Sequence, residues 1–318
     1  MANGCFTVDV SIQQMDAPHI DKNKKSILRL KKGTNFSLFA PPYIEADPFL
    51  FVHNDRLFLF YESMLFGKGQ GMIKMRSTAD LQHWTEPVLI THEPKTHFSY
   101  PFVFEDDGDV YMMPETGCDN NIRLYRATDD TLTKFEPYKV ILQRKEFPKD
   151  LKFDYCDSCV YKKDGVYYLF SSYSTETEYF LQLFISSSLT GLYTEHPSSP
   201  VCRGNKLGRC GGSFIESRGH LYRVAQDCED SYGAQLHLLE IDELTPDSYK
   251  EHVVKENILP TDIPFYADGG HQLNFAEFNG KIVVATDARY DCGFFLELWR
   301  CRIMRLLGLK KKFNPKEG

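Results

Sequence analysis

Apolar and polar residues alternate along most of this chain in short runs, and the runs come in an order that repeats. A strand, a polar or Gly turn and a second apolar-aromatic strand recur as ADPFLFVHNDRLFLFYE from Ala46, SYPFVFEDDGDVYMMPE from Ser99, CDSCVYKKDGVYYLFSS from Cys156, GGSFIESRGHLYRVAQD from Gly211 and GGHQLNFAEFNGKIVVA from Gly269. The copies begin 53, 57, 55 and 58 residues apart. A period of this size marks stacked or radial units, each too small to bury its own apolar face. Five all-β units closing on themselves predict a five-bladed β-propeller, in one domain.

Alternating segments that end at Trp84, Phe135, Tyr193 and Tyr249 follow the first four copies. They supply outer strands, each with a terminal aromatic to wedge between neighbouring blades. The fifth copy has only DCGFFLEL after the loop that follows Asp287. The missing edge is expected from the N-terminus, where Phe6, Val8, Val10 and Ile12 alternate with polar neighbours. The chain therefore divides into an N-terminal strand and polar approach (1–45), the propeller (46–297) and a basic tail (298–318). In the tail Leu298, Trp299, Ile303, Leu306 and Leu307 fall near helical spacing among Arg300, Arg302, Arg305 and Lys310 to Lys312. Such a helix packs on the propeller rim or makes peripheral contact with an anionic membrane surface.

With 42% hydrophobic and 25% charged residues, 318 residues can build a sizeable core. A net charge of −7, with no long basic run before the tail, argues against nucleic acid and for a carbohydrate or other neutral ligand. No run approaches the ~20 apolar residues of a membrane span, and the N-terminus lacks the pattern of a secretory signal, so a cytoplasmic location is expected. The nine cysteines are scattered, which suits reduced thiols. Cys156 and Cys159 form a single CxxC with no second pair, which argues against a zinc site. There is no P-loop, HExxH, GxSxG or strand-linked GxGxxG.

The repeat register converts shape into a map of chemistry. If the first strand of each copy runs along the central channel and the second returns, strand starts and strand ends share one mouth. The starts are Asp47, Tyr100, Asp157, Gly212 and Gly270; the residues fifteen places on are Glu62, Glu115, Ser172, Asp227 and Ala285. Carboxylates crowded at one mouth raise one another's pKa and can divide into a general acid and a base, the pair that glycoside chemistry needs. Asp47, Asp157, Glu115 and Asp227 are the candidate catalytic groups, although Asp before Pro and acids at strand ends also serve as local caps. Glu62, Tyr100, Arg209, Arg223, Gln226 and His271 are the candidate substrate contacts, with Phe49, Tyr100 and Tyr155 available to stack on sugar faces. No resident cofactor is expected; if carboxylates and waters join His271 at the channel, calcium is the candidate ion.

ADPF, the SYPFVFEDDGDVYMMPE copy and above all LYRVAQDC followed by YG resemble the N-terminal β-propeller of glucosamine inositolphosphorylceramide transferases and their bacterial relatives. The resemblance covers nearly the whole chain to Asp287. That propeller is in turn similar to the five-bladed fold of family 43 glycoside hydrolases. By that likeness Asp47 would be the base and Asp157 the residue that tunes pKa, whereas the acid would stand two residues before Ser213, where this chain has Gly211. The resemblance implies a carbohydrate-active protein working on a glycosidic bond, with Glu115 or Asp227 replacing the acid, or else a non-catalytic module that binds a glycan or glycolipid headgroup beside a separate glycosyltransferase.

Overall fold

Each of the five copies forms the inner hairpin of one antiparallel sheet. The computed structural model describes residues 5–30, 43–65, 70–91, 93, 95–116, 120–144, 151–290, 303, 306 and 307. Blade one is Tyr43–His53, Arg56–Leu65, Gly71–Thr78 and Val88–Leu89. Blade two is Ser99–Asp106, Asp109–Glu115, Asn121–Ala127 and Phe135–Gln143. Blade three is Leu151–Lys163, Val166–Thr175, Tyr179–Ser186 and Thr194–Glu195, with Cys202–Arg203 also paired to its third strand. Blade four is Ile215–Ser217, His220–Asp227, Gln235–Leu244 and Tyr249–Lys255.

Blade five closes the ring. Its inner strands, Leu273–Phe278 and Lys281–Tyr290, are joined by Cys5–Gln13, which pairs with the second of them from Cys5 opposite Tyr290 to Gln13 opposite Ile282. The expected N-terminal edge is present, and it brings a further strand. Lys25–Arg29, within the segment read as a polar approach, pairs outside it. Asp9 explains why that strand stays: its buried carboxylate accepts from Arg29 Nε at 2.8 Å, Ser26 Oγ at 2.6 Å and Lys24 Nζ at 3.0 Å. A buried carboxylate is tolerated only when paired in this way.

The inner hairpins share one turn. Asn54–Asp55, Asp107–Gly108, Asp164–Gly165, Arg218–Gly219 and Asn279–Gly280 all have positive φ at both residues, which is the type I′ geometry that matches strand twist. Gly165, at φ +77°, shows why glycine recurs in second place, since an L side chain there is strained even in open space. Apolar side chains then fill the seams between blades. Phe135 packs edge-on against Phe60 of blade one at 5.9 Å, and Tyr249 packs on Phe170 of blade three at 5.6 Å, as expected of wedging aromatics.

Cys5 is disulfide-bonded, whereas Cys156, Cys159, Cys202, Cys210 and Cys228 are free thiols. The expectation that every cysteine is a reduced thiol is corrected accordingly: Cys5 stands on the closing strand, where the fold brings distant parts of the chain together. Among the described residues no helix is long and apolar enough to cross a membrane. Most of the basic tail lies outside the described residues; Ile303, Leu306 and Leu307 are exposed.

Candidate functional site at the acidic mouth

Counting from the turns, rather than from the strand starts, shows which side chains converge. Seven residues after the second turn residue of each hairpin stand Glu62, Glu115, Ser172, Gln226 and Asp287. Strand alternation from a shared turn obliges these five to face the channel alike. Bulges interrupt the pairing between Ala46 and Phe49, Ser99 and Phe102, and Cys156 and Cys159 but leave the count from those three starts unchanged, whereas the Gly-Gly openings of blades four and five shift it by one and two residues. Asp47, Tyr100 and Asp157 sit on those bulges with φ of 51°, 46° and 49°.

Acids of one blade hold amides of the next. The Tyr100 amide donates to Asp47 Oδ2 (3.1 Å), the Asp157 amide to Glu115 Oε2 (3.1 Å) and the Asp47 amide to Asp287 Oδ2 (3.2 Å). Asp287 also accepts from the amides of His271 (2.8 Å) and Gln272 (3.0 Å). His271 Nδ1 stands 2.6 Å from Asp287 Oδ2 and 3.7 Å from Asp47 Oδ1. Asp157 accepts from Arg209 Nε and from Gln226 Nε2, the latter at 3.0 Å. Arg209 lies between the rings of Tyr179 and Tyr232, 5.3 and 5.0 Å from their centroids. At the outer side His97 Nδ1 accepts from the Gly71 amide (2.8 Å), and its Nε2 lies 3.5 Å from Glu62 Oε1.

Burial and like charge dominate the electrostatics. Asp47 is pushed up to about 6 by desolvation, against the pull of His271, with Asp157 and Asp287 adding to the rise. Burial and then Asp157 push Glu115 up to about 8, while Arg209 opposes. Glu62 is raised well above the ordinary carboxylate range by burial and by Asp47 and Glu115. Desolvation alone would lower His271, but Asp287 and Asp47 outweigh it and favour the imidazolium. At neutral pH the mouth thus holds both an ionised Asp47 and a protonated Glu115.

Asp47, His271 and Asp287 each offer a ligand atom within 4.8 Å of the others. Two carboxylates and an imidazole fall short of the six to eight oxygens that calcium takes, so water or ligand oxygens would have to complete such a site. An imidazolium between two carboxylates accounts for the same geometry.

The structure therefore brings together Asp47, Glu62, Glu115, Asp157, Arg209, Gln226 and His271 of the residues expected at the mouth. Asp227 is corrected: one place beyond Gln226, it faces the other way and receives His237 Nε2 at 2.9 Å. Arg223 is also turned away, held in a two-point pair with Glu251 at 2.8 and 2.6 Å. Tyr100 is fully buried, with its hydroxyl donating to the Gly212 carbonyl at 3.0 Å; it, Phe49 and Tyr155 are core side chains, not stacking platforms. Asp227 and Ala285 give way to Gln226 and Asp287 as the inward strand-end positions of blades four and five. Asp287 was findable in the sequence from the Asn-Gly turn at 279–280. His97, Tyr179 and Tyr232 were not, because His97 and Tyr232 reach the mouth from loops and Tyr179 from the start of a third strand, outside the repeated hairpin.

Gly211 lacks the acid that the hydrolase likeness requires, and a side chain there would oblige Leu236 to shift. A Cβ there would lie 2.9 Å from Leu236 Cδ2 and 3.1 Å from the His271 carbonyl oxygen.

Residues 32–273 match the family described as glucosamine inositolphosphorylceramide transferase 1, N-terminal. The chain belongs to this family. Glucosamine inositolphosphorylceramide transferase 1 of Oryza sativa subsp. japonica is 37% identical over 217 residues, 66% of this chain and 28% of that protein. The Arabidopsis thaliana protein of the same name is 34% identical over 218 residues, 66% of this chain and 27% of its own length. The family member described here thus spans little more than a quarter of the curated relatives it matches. Among solved structures, a family 117 glycoside hydrolase of Zobellia galactanivorans is similar at a TM-score of 0.55 and 13% identity over 92% of both chains. The α-L-arabinanase of Cellvibrio cellulosa with arabinohexaose is similar at 0.50 and 18% identity, over 64% of this chain and 76% of that one. At these identities the likeness shows a shared fold.

Proposed function

We propose that the acidic mouth binds a protonated amino sugar, as the recognition module of a system that builds a glycosidic bond. The observation that carries this reading is the excess of acids: among the described groups that converge there Asp47, Glu62, Glu115, Asp157 and Asp287 outnumber Arg209, His271 and, beside Glu62, His97. An ammonium ion restores the balance that burial has disturbed. The curated relatives are named for glucosamine, the sugar that carries such an amine. The absence of an acid at Gly211 supports recognition without hydrolysis.

A second reading has its own support. Ionised Asp47 and protonated Glu115 form an acid and base pair, which would suit catalysis at a glycosidic bond with Glu115 in place of the absent acid. Asp47→Asn separates the two. A recognition module loses affinity for D-glucosamine in titration calorimetry and forms no product with either form of the protein. An enzyme shows turnover of a glucosaminide or sugar nucleotide that falls about 100-fold or more in the variant.

A further inference from the structure

We infer that Phe6, on the strand that closes the ring of blades, is a positioning residue of the acidic mouth: its side chain holds the His271 imidazole on Asp287 and away from Asp47, which keeps Asp47 open to the amine of the ligand. The inference rests on the reading of the mouth as an amino-sugar site. It gives the closing strand a part in ligand affinity.

Two rings and a stretch of backbone enclose the His271 imidazole. Phe6 lies face to face with it, ring centroids 4.0 Å apart at 19°, and Tyr232 meets it edge-on at 5.1 Å. The backbone at Gly233 lies against both, since a Cβ there would stand 3.2 Å from His271 Cβ and 3.4 Å from Phe6 Cε1 and Cζ. The stack suits an imidazolium, because the face of an aromatic ring attracts a cation. In this position Nδ1 stands 2.6 Å from Asp287 Oδ2 but 3.7 Å from Asp47 Oδ1. Asp47 Oδ2 accepts from the Tyr100 amide at 3.1 Å, whereas its Oδ1 has no hydrogen bond among the described residues. Without the Phe6 ring the imidazolium would gain room to swing between the two carboxylates, and it would compete with a ligand's ammonium ion for Asp47 Oδ1.

Closure of blade five is what brings Phe6 there. It lies opposite Arg289 in the ladder, and Arg289 Nη1 donates to Ser231 Oγ at 2.7 Å and to the Tyr232 carbonyl at 2.9 Å, so one pairing sets both rings against His271. The outer strand does not reach this end. Lys25–Arg29 pairs from Asp9 to Ile12, and the Leu30 amide adds a bond to the Val8 carbonyl at 2.9 Å. The disulfide at Cys5, the preceding residue, fastens the end instead.

Titration calorimetry of D-glucosamine on the full chain tests this in a double-mutant cycle. Phe6→Leu, which keeps an apolar side chain and removes the ring, is expected to weaken binding about fivefold. Phe6→Met serves if leucine disturbs the fold. In a His271→Asn background, which has no imidazolium to release, the same substitution is expected to change the affinity by less than about twofold. N-Acetylglucosamine supplies a comparison that needs no second substitution. It carries no ammonium ion, so its binding, read by saturation-transfer NMR, is expected to be unchanged by Phe6→Leu. An affinity for D-glucosamine that survives loss of the Phe6 ring, a loss just as large in the His271→Asn background, or an equal loss for both sugars would overturn the inference while leaving the mouth intact. If the unaltered protein fails to bind D-glucosamine, the reading of the mouth falls and the role of Phe6 falls with it.

Discussion

Glu115 and Arg209 show how much of the mouth's chemistry is set by single residues. Glu115 carries a proton up to about pH 8 in the folded protein, whereas an unfolded glutamate releases it near 4.5. The folded state then binds more protons between these values, so stability is greatest at the acidic end and falls as pH rises through that window. Glu115→Gln is expected to flatten this part of the profile by about 3 kcal/mol, less than the full shift would give because Glu115 is partly exposed. Urea unfolding at pH 5 and pH 8.5 measures it. Binding of an ammonium ion should drive Glu115 to ionise, so calorimetry of D-glucosamine at pH 7 in buffers of different ionisation enthalpy is expected to show net proton release. Arg209 has a different task, since Asp157 is 2% exposed and relies on it. Arg209→Ala leaves that charge with Gln226 alone and is expected to cost about 3–5 kcal/mol in urea unfolding.

At the scale of the element, the shared turn does more than join strands. A type I′ turn fixes the pairing register, and a fixed register fixes which side chains face the channel. That explains what was legible in the sequence. The five hairpins, the closing N-terminal strand and most of the mouth followed from alternation and period. Asp287 did not, and Gln226 followed only as a ligand contact and not as the inward position of blade four, because the double glycines that open blades four and five shift a count from the strand starts by one or two residues, while the turns keep it. The loop residues His97 and Tyr232, and Tyr179 at the start of a third strand, lie outside the repeated hairpin and carry no signal of its period. Lys25–Arg29 was hidden for a related reason: its hold on blade five comes from the buried Asp9, which pattern alone does not show. The disulfide at Cys5 adds a covalent fastening to the closing strand. Reduction with dithiothreitol is expected to lower stability by about 2–4 kcal/mol, read as a drop in Tm against the Cys5→Ser variant, which should be insensitive to the reagent.

For the whole molecule, four of the five blades deliver acids from distant parts of the chain to one place, and the net charge of −7 extends the same sign beyond it. Attraction of a cationic ligand should therefore include a long-range part that salt removes. Affinity for D-glucosamine is expected to fall between 20 and about 300 mM salt, whereas N-acetylglucosamine, which lacks the cation, should bind weakly and with little salt dependence; titration at fixed pH distinguishes them. The ring that gathers these acids is completed by Cys5–Gln13 lying beside Lys281–Tyr290. During synthesis, Cys5–Gln13 leaves the ribosome long before Lys281–Tyr290 and must wait for it. Until then four blades form an open arc whose bare sheet edges invite pairing with other chains, so a ribosome that stalls before residue 290 would release a sticky intermediate.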